Sequence, residues 1–153
     1  MGSSVSPKVY LDTNVFLAAY ESAGARSDHA FWIFSAIESG DIQGVTSEIT
    51  LAELLPGPVE EGNDDLADAY KRILSDGPNM EVLPVTRETL IETAVLRAGR
   101  PGLKLPDAIH CATALRAACT AMVTDDRRIP KNLGVRIVPF GPHVLDHVRG
   151  AIP

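Results

Sequence analysis

A chain of 153 residues, 45% of them hydrophobic, is the size of one domain with one substantial core. Its formal net charge of −6 excludes a protein that grips nucleic acid by bulk positive charge, so a bound polyanion would need something local, such as a divalent cation, to reverse the field. No apolar run reaches the roughly 20 residues of a membrane span, and two cysteines with four scattered histidines give neither a disulfide framework nor a zinc spacing, so a cytoplasmic protein without membrane association is expected.

The first seven residues, MGSSVSP, are small and polar and read as a flexible N-terminus before a domain over 8–140. Residues 8–11 form a short apolar run that ends at Asp12, a strand leading into a helix over 14–20. A helix over 28–39 follows, closed by Gly40. The next strand is expected at 43–46, and Ser47 can cap a helix over 48–55 that the "PGP" at 56–58 should stop. Residues 64–74 suit a polar-faced helix, 80–84 a strand, and Thr86 can cap a helix over 87–98 that ends at Gly99. The segment 106–118 opens with proline and is almost entirely small or apolar, as expected of a helix buried against a sheet. Cys111 and Cys119 are read on that helix, about 12 Å apart and too far to bond. Strands at 121–124 and 136–138 complete the pattern, and 141–153 reads as a tail or short helix. Strands alternating with helices imply an α/β fold with a mainly parallel sheet covered on both faces.

In open α/β sheets the site forms beyond the carboxyl ends of the strands, and there this sequence places carboxylates. Asp12 ends the first strand, and Asp125 and Asp126 end the fourth in "MVTDDRRI". Asp107 lies in the first turn of the buried helix in "LPDAIHCATAL", and Glu53, in "TSEITLAELL", shares a helix side with Ile49 and leans towards the core. Each has a plain structural reading: Asp12 as an N-cap, Asp107 as a helix-dipole partner, Glu53 as a solvated residue, Asp125 or Asp126 as a turn residue. Convergence shifts the balance, because four or five acids with no lysine or arginine interleaved repel unless a cation joins them. An oxygen-only donor set suits Mg²⁺ or Mn²⁺, and an ion so held can activate water towards a phosphodiester.

Together, "YLDTNVFL", "TSEITLAELL", "LPDAIHCATAL" and "MVTDDRRI" resemble, in order and spacing, the motifs of the PIN-domain ribonucleases, in particular the toxins of VapBC-type toxin–antitoxin pairs. The resemblance implies a three-layer α/β/α sandwich of about five strands, a Mg²⁺- or Mn²⁺-dependent endoribonuclease acting on RNA, frequent homodimers, and inhibition by a cognate antitoxin over the acidic groove. Carried over, Asp12, Glu53 and Asp107 match the three central acids. Thr124 and Asp126 match the threonine-x-aspartate pattern, with Asp125 the second choice for the fourth acid. Asn14, Thr124 and Ser47 are candidate supports, although capping explains Ser47 equally well. Candidate phosphate contacts are Arg97, Arg100 and Lys104, with Arg116, Arg127, Arg128 and Lys131 expected nearer the site. His110 is read as ordinary packing, and Trp32 as core or dimer surface rather than a base-stacking platform.

A phosphoacceptor receiver domain would want paired acids at the first strand and a lysine after the last, and a haloacid-dehalogenase-like phosphatase would want aspartate-x-aspartate where this chain has "DTN". The alternative from a different class is a catalytically silent PIN-like module that binds RNA or a partner protein.

Overall fold

Residues 5–150 are described by the structure, a computed structural model. Five short apolar runs form β1 (Lys8–Leu11), β2 (Gln43–Ser47), β3 (Met80–Leu83), β4 (Ala121–Thr124) and β5 (Arg136–Pro139). They pair in parallel in the order β3-β2-β1-β4-β5. Between and after them lie α1 (Thr13–Glu21), α2 (Ala25–Glu38), α3 (Ile49–Leu54), α4 (Pro56–Glu61), α5 (Asp64–Ile73), α6 (Arg87–Arg97), α7 (Leu105–Arg116) and α8 (Val144–Val148).

The period of two along each strand splits the core into two layers. Val9 and Leu11 of β1, with Ala121 and Val123 of β4, join Phe16, Ile33 and Tyr70 on the face covered by α1, α2 and α5, where α8 also buries Val144 and Val148. Tyr10, Val45 and Met122 point the other way, onto Leu96 of α6 and Ala108, Cys111 and Ala112 of α7. The result is a three-layer α/β/α sandwich, as expected. Gly44 lets α2 lie close against β2, since a Cβ there would meet Ile37 Cδ1 at 2.7 Å. From β1 the chain winds outward to β2 and β3, then returns to lay β4 against the other side of β1. Strand order therefore reverses between β1 and β4, and a crevice belongs at their carboxyl ends.

The helix before "PGP" ends at Leu54, as expected, but a further helix follows at once: Pro56 occupies the first position of α4, where its missing N–H costs nothing. Two local expectations are corrected. Helix α7 begins at Leu105, which puts Pro106 second, and it ends before Cys119, which lies outside it beyond Ala118. Helix α2 starts at Ala25, earlier than its apolar pattern suggests, because Gly24 at φ +67° turns the chain into it. Among the described residues no helix is long and apolar enough to cross a membrane.

Candidate active site at the carboxyl ends of β1 and β4

Asp12 is the point at which β1 hands over to α1. Its N–H donates to Val123 O at 3.1 Å, which fixes it beside the end of β4. Its Oδ1 accepts the Thr13 N–H at 2.8 Å, so the capping reading of Asp12 is correct. The other oxygen, Oδ2, accepts the Thr124 hydroxyl at 2.7 Å. With only 6% of the residue exposed, burial pushes the Asp12 carboxyl up; His110, Thr124 and Thr13 oppose that shift, and the Glu53 charge adds to it.

Glu53 reaches the same place from α3. Its Oε1 accepts the Thr13 hydroxyl at 2.8 Å and meets His110 Nε2 at 2.5 Å. An ionised carboxylate only accepts, so Nε2 carries the proton of that bond. On the other side of the ring, Nδ1 meets the Tyr10 hydroxyl at 2.6 Å. His110 is fully buried, as the packing reading expects, and it also anchors Glu53 while lying 3.8 Å from Asp12 Oδ1. Burial alone would raise the Glu53 carboxyl, but the His110 and Thr13 bonds outweigh it and hold the group below its ordinary value.

Asp107 sits half-buried in the first turn of α7. Its carboxyl is pushed up first by burial and then by the negative charges of Asp126 and Asp12, so both lie within electrostatic reach of it. Asp126 is tied in through its backbone, whose N–H donates to Thr124 Oγ1 at 3.0 Å, so that one hydroxyl serves both Asp12 and Asp126. The Asp126 carboxylate is gripped by Arg128, with Nε to Oδ1 at 3.0 Å and Nη2 to Oδ2 at 2.9 Å, and this holds it below its ordinary value. Asp125 turns elsewhere: its Oδ1 accepts Asn14 Nδ2 at 2.8 Å, and Oδ2 pairs with Arg26 at 2.9 Å.

The structure thus ties Asp12 and Asp126 to Thr124, joins Glu53 to Thr13 and His110, sets Asp107 within electrostatic reach of Asp12 and Asp126, and pairs Asp125 with Asn14. The expectation that no basic side chain enters the cluster is overturned, because Arg128 chelates Asp126 from two residues away and Arg26 reaches Asp125 from α2. Ser47 is buried, and its Oγ accepts the Ile49 N–H at 3.2 Å in a turn leading into α3, whose N-cap position is Glu48 rather than Ser47. Arg97 and Arg100 are spent on the loop after α6, donating to Leu103 O at 3.1 Å and Leu96 O at 3.0 Å. Arg116 is not near the acids: it ends α7 beside Lys8, at the amino end of β1, about 13 Å along the helix from Asp107. Lys104 lies close enough to lower Asp126, and Arg127 and Lys131 line a cavity with it. Sequence reasoning missed Tyr10, Thr13, His110 and Arg26. The spacing of His110, one turn after Asp107 on the same helix, was a usable signal for it, while Arg26 carried none.

Among the described residues, no three Asp, Glu, His or Cys side chains form a ready ligand set. Mg²⁺ does not demand one, since it keeps several waters and is commonly held by one or two carboxylates together with substrate oxygens. Asp12 and Asp107 offer such a pair, all-oxygen, partly desolvated and mutually repelling, and the donor chemistry therefore fits a hard divalent cation.

The PIN domain family matches residues 9–135. A comparison with curated proteins gives no match. Among solved structures, the DNA-bound VapBC of Salmonella typhimurium is similar at 25% identity, with a TM-score of 0.65 over 88% of this chain and 98% of the matched one. VapBC2 of Rickettsia felis, bound to a fragment of its promoter, is similar at 18% identity and a TM-score of 0.66, over 87% and 98%. VapC20 of Mycobacterium tuberculosis, a sarcin–ricin loop cleaving toxin, is similar at 18% identity and a TM-score of 0.64, over 78% and 92%.

Proposed function

We propose, from the premise that this chain belongs to the PIN-domain family, that it is a Mg²⁺- or Mn²⁺-dependent endoribonuclease and the toxin of a VapBC-type pair. The observation that carries the reading is the buried Asp12, fixed by Thr13 and Thr124 and electrostatically coupled to Asp107 at the switch point of the sheet. The likeness to VapBC complexes and to a toxin that cleaves the sarcin–ricin loop supports the choice of RNA as substrate and of an antitoxin as partner. A homodimer is part of this proposal on the family resemblance alone.

In this reading Asp12 and Asp107 would hold the cation, with Asp126, paired with Arg128 in this structure, as the third acid available to it. A bound divalent ion supplies charge against the phosphodiester and lowers the pKa of an attacking water. Thr124 orients Asp12 and Asp126 through a single hydroxyl, so the two acids keep a fixed relation. Thr13 and His110 both bond Glu53 Oε1, which leaves Oε2 to orient the water. Once released, Arg128 is placed to contact a phosphate oxygen, with Lys104 and Arg127 beside it.

The grip of Arg128 on Asp126 also favours a second reading, the silent binding module, in which the arginine permanently stands in for a cation. Purified protein incubated with total RNA and Mg²⁺, Mn²⁺ or EDTA separates them. Discrete fragments that require metal support the nuclease. No cleavage, together with no metal uptake by calorimetry, supports the silent module.

A further inference from the structure

The loop from β4 to β5 does more than carry Asp126. It folds Ile129 inward to 3% exposure and, with Ile137 and Phe140 at β5, lines a cavity of about 500 Å³ that opens beside Asp126. The walls differ chemically. The floor is apolar, the wall shared with the acidic site is anionic, and the rim carries the exposed cations Arg127 and Lys131. The floor is also braced: Phe140 donates its N–H to Thr124 O at 3.2 Å, and Arg26, which pairs with Asp125, lies 5.2 Å from the Phe140 ring centroid.

We propose that this cavity is a nucleobase subsite, which takes the base of the nucleotide next to the phosphate held at the acids; the inference deepens the ribonuclease reading and rests on it. The size falls within the roughly 300–1,000 Å³ of small-ligand pockets. An unpaired base has a broad apolar face that can pack on Ile129 and Ile137, as single-stranded RNA is generally read through splayed bases against apolar and aromatic side chains. Asp125 and Asp126 already occupy Arg26 and Arg128, whereas Arg127 and Lys131 have no carboxylate partner among the described residues, so the nucleotide's own phosphate belongs at their rim. Base and phosphate together match the floor and the rim. An apolar peptide side chain would match the floor but leave the cationic rim without a partner.

The test is a titration of AMP, GMP, CMP, UMP and ribose 5-phosphate, without added metal, into the full chain with its isoleucine methyl groups ¹³C-labelled. The expected result is saturable movement of the Ile129 and Ile137 methyl signals with at least one nucleotide, and none with ribose 5-phosphate at the same concentration. Ile137→Glu should weaken that nucleotide at least about tenfold, and the exposed Lys131→Glu about two- to fivefold without touching the floor. Unchanged Ile33 and Ile42 methyl signals, from the opposite core layer, in the ligand-free variants show that the fold is kept. Movement by ribose 5-phosphate equal to that by nucleotides would reduce the cavity to an anion site and overturn the proposal. No movement from any nucleotide, in protein that cleaves RNA, overturns the subsite and leaves the nuclease standing. Movement in protein that cleaves nothing keeps a base-binding cavity and removes the nuclease.

Discussion

Asp12 and Asp126 end neighbouring strands and share the hydroxyl of Thr124, yet they are held in opposite ways. Asp12 is buried, receives only an amide and a hydroxyl, and has a carboxyl pushed above its ordinary value. Asp126 is gripped by the exposed Arg128 and held below its ordinary value. The same division runs through the rest of the site. Thr13, His110 and Tyr10 form an interior chain of hydrogen bonds that ends at the surface on Glu53, whereas Asp125, Asn14 and Arg26 form an exterior one. The buried half is fixed in advance and short of positive charge. The exposed half carries its own cations and can exchange them.

If that division is real, the largest effect follows from Asp12. Asp12→Asn should lower metal-dependent RNA cleavage by at least about 100-fold, while the melting temperature changes little or rises slightly, because asparagine caps a helix as well as aspartate and one repelling charge is gone. A large loss of stability would instead make Asp12 a structural cap only. His110→Ala should cost about 2–3 kcal/mol in urea unfolding, since it strips the buried Tyr10 hydroxyl and Glu53 of their partner. Tyr10→Phe should cost about 1 kcal/mol, because the ring of His110 stays in place. A neutral His110→Ala would break the claim that the interior chain is fixed by bonding. In the exposed half, Arg128→Ala should tighten Mn²⁺ binding about two- to fivefold by calorimetry. Weaker binding would show that Arg128 supports the cation site rather than competing with it.

The smallest effect is the pH dependence of stability without metal. For Asp12 and Asp107 the folded pKa is raised, so the folded state binds more protons than the unfolded one between the ordinary carboxyl value and the raised one. Stability from these two groups is therefore gained as pH falls through the raised values and lost as pH rises through them. Glu53 has the opposite sign: its lowered pKa gives stability above the ordinary value that disappears as pH falls below it. Thermal melting in EDTA should accordingly rise slightly as pH falls through the raised carboxyl values and fall again once the pH drops below the ordinary carboxyl range. In Asp12→Asn the rise should shrink.

Strand positions and the α/β class were legible because short apolar runs bounded by caps have few other uses, and the strand-end rule then located Asp12 and Asp126. Helix ends read correctly where a cap was decisive, as at Thr86, whose side chain accepts the Thr89 N–H at 3.1 Å. The stop before Pro56 read correctly too, but α4 was missed, because a proline that stops one helix is also suited to begin the next. What the sequence concealed was pairing across it. Arg26 and Asp125 are about 100 residues apart, and Tyr10 and His110 are separated by 100. No local pattern reveals such contacts, since they arise from the parallel register of β1 and β4 and the packing of α7 on that sheet.

In the proposed site the cation depends on Asp12 and not on Asp125, which is spent on Asn14 and Arg26. Calorimetric titration of Mn²⁺ into the wild-type chain, Asp12→Asn and Asp125→Asn separates the two. Binding to the wild type, loss in Asp12→Asn, and an affinity within about twofold of wild type in Asp125→Asn are expected. Binding that survives in Asp12→Asn, or that disappears only in Asp125→Asn, would contradict the proposed site.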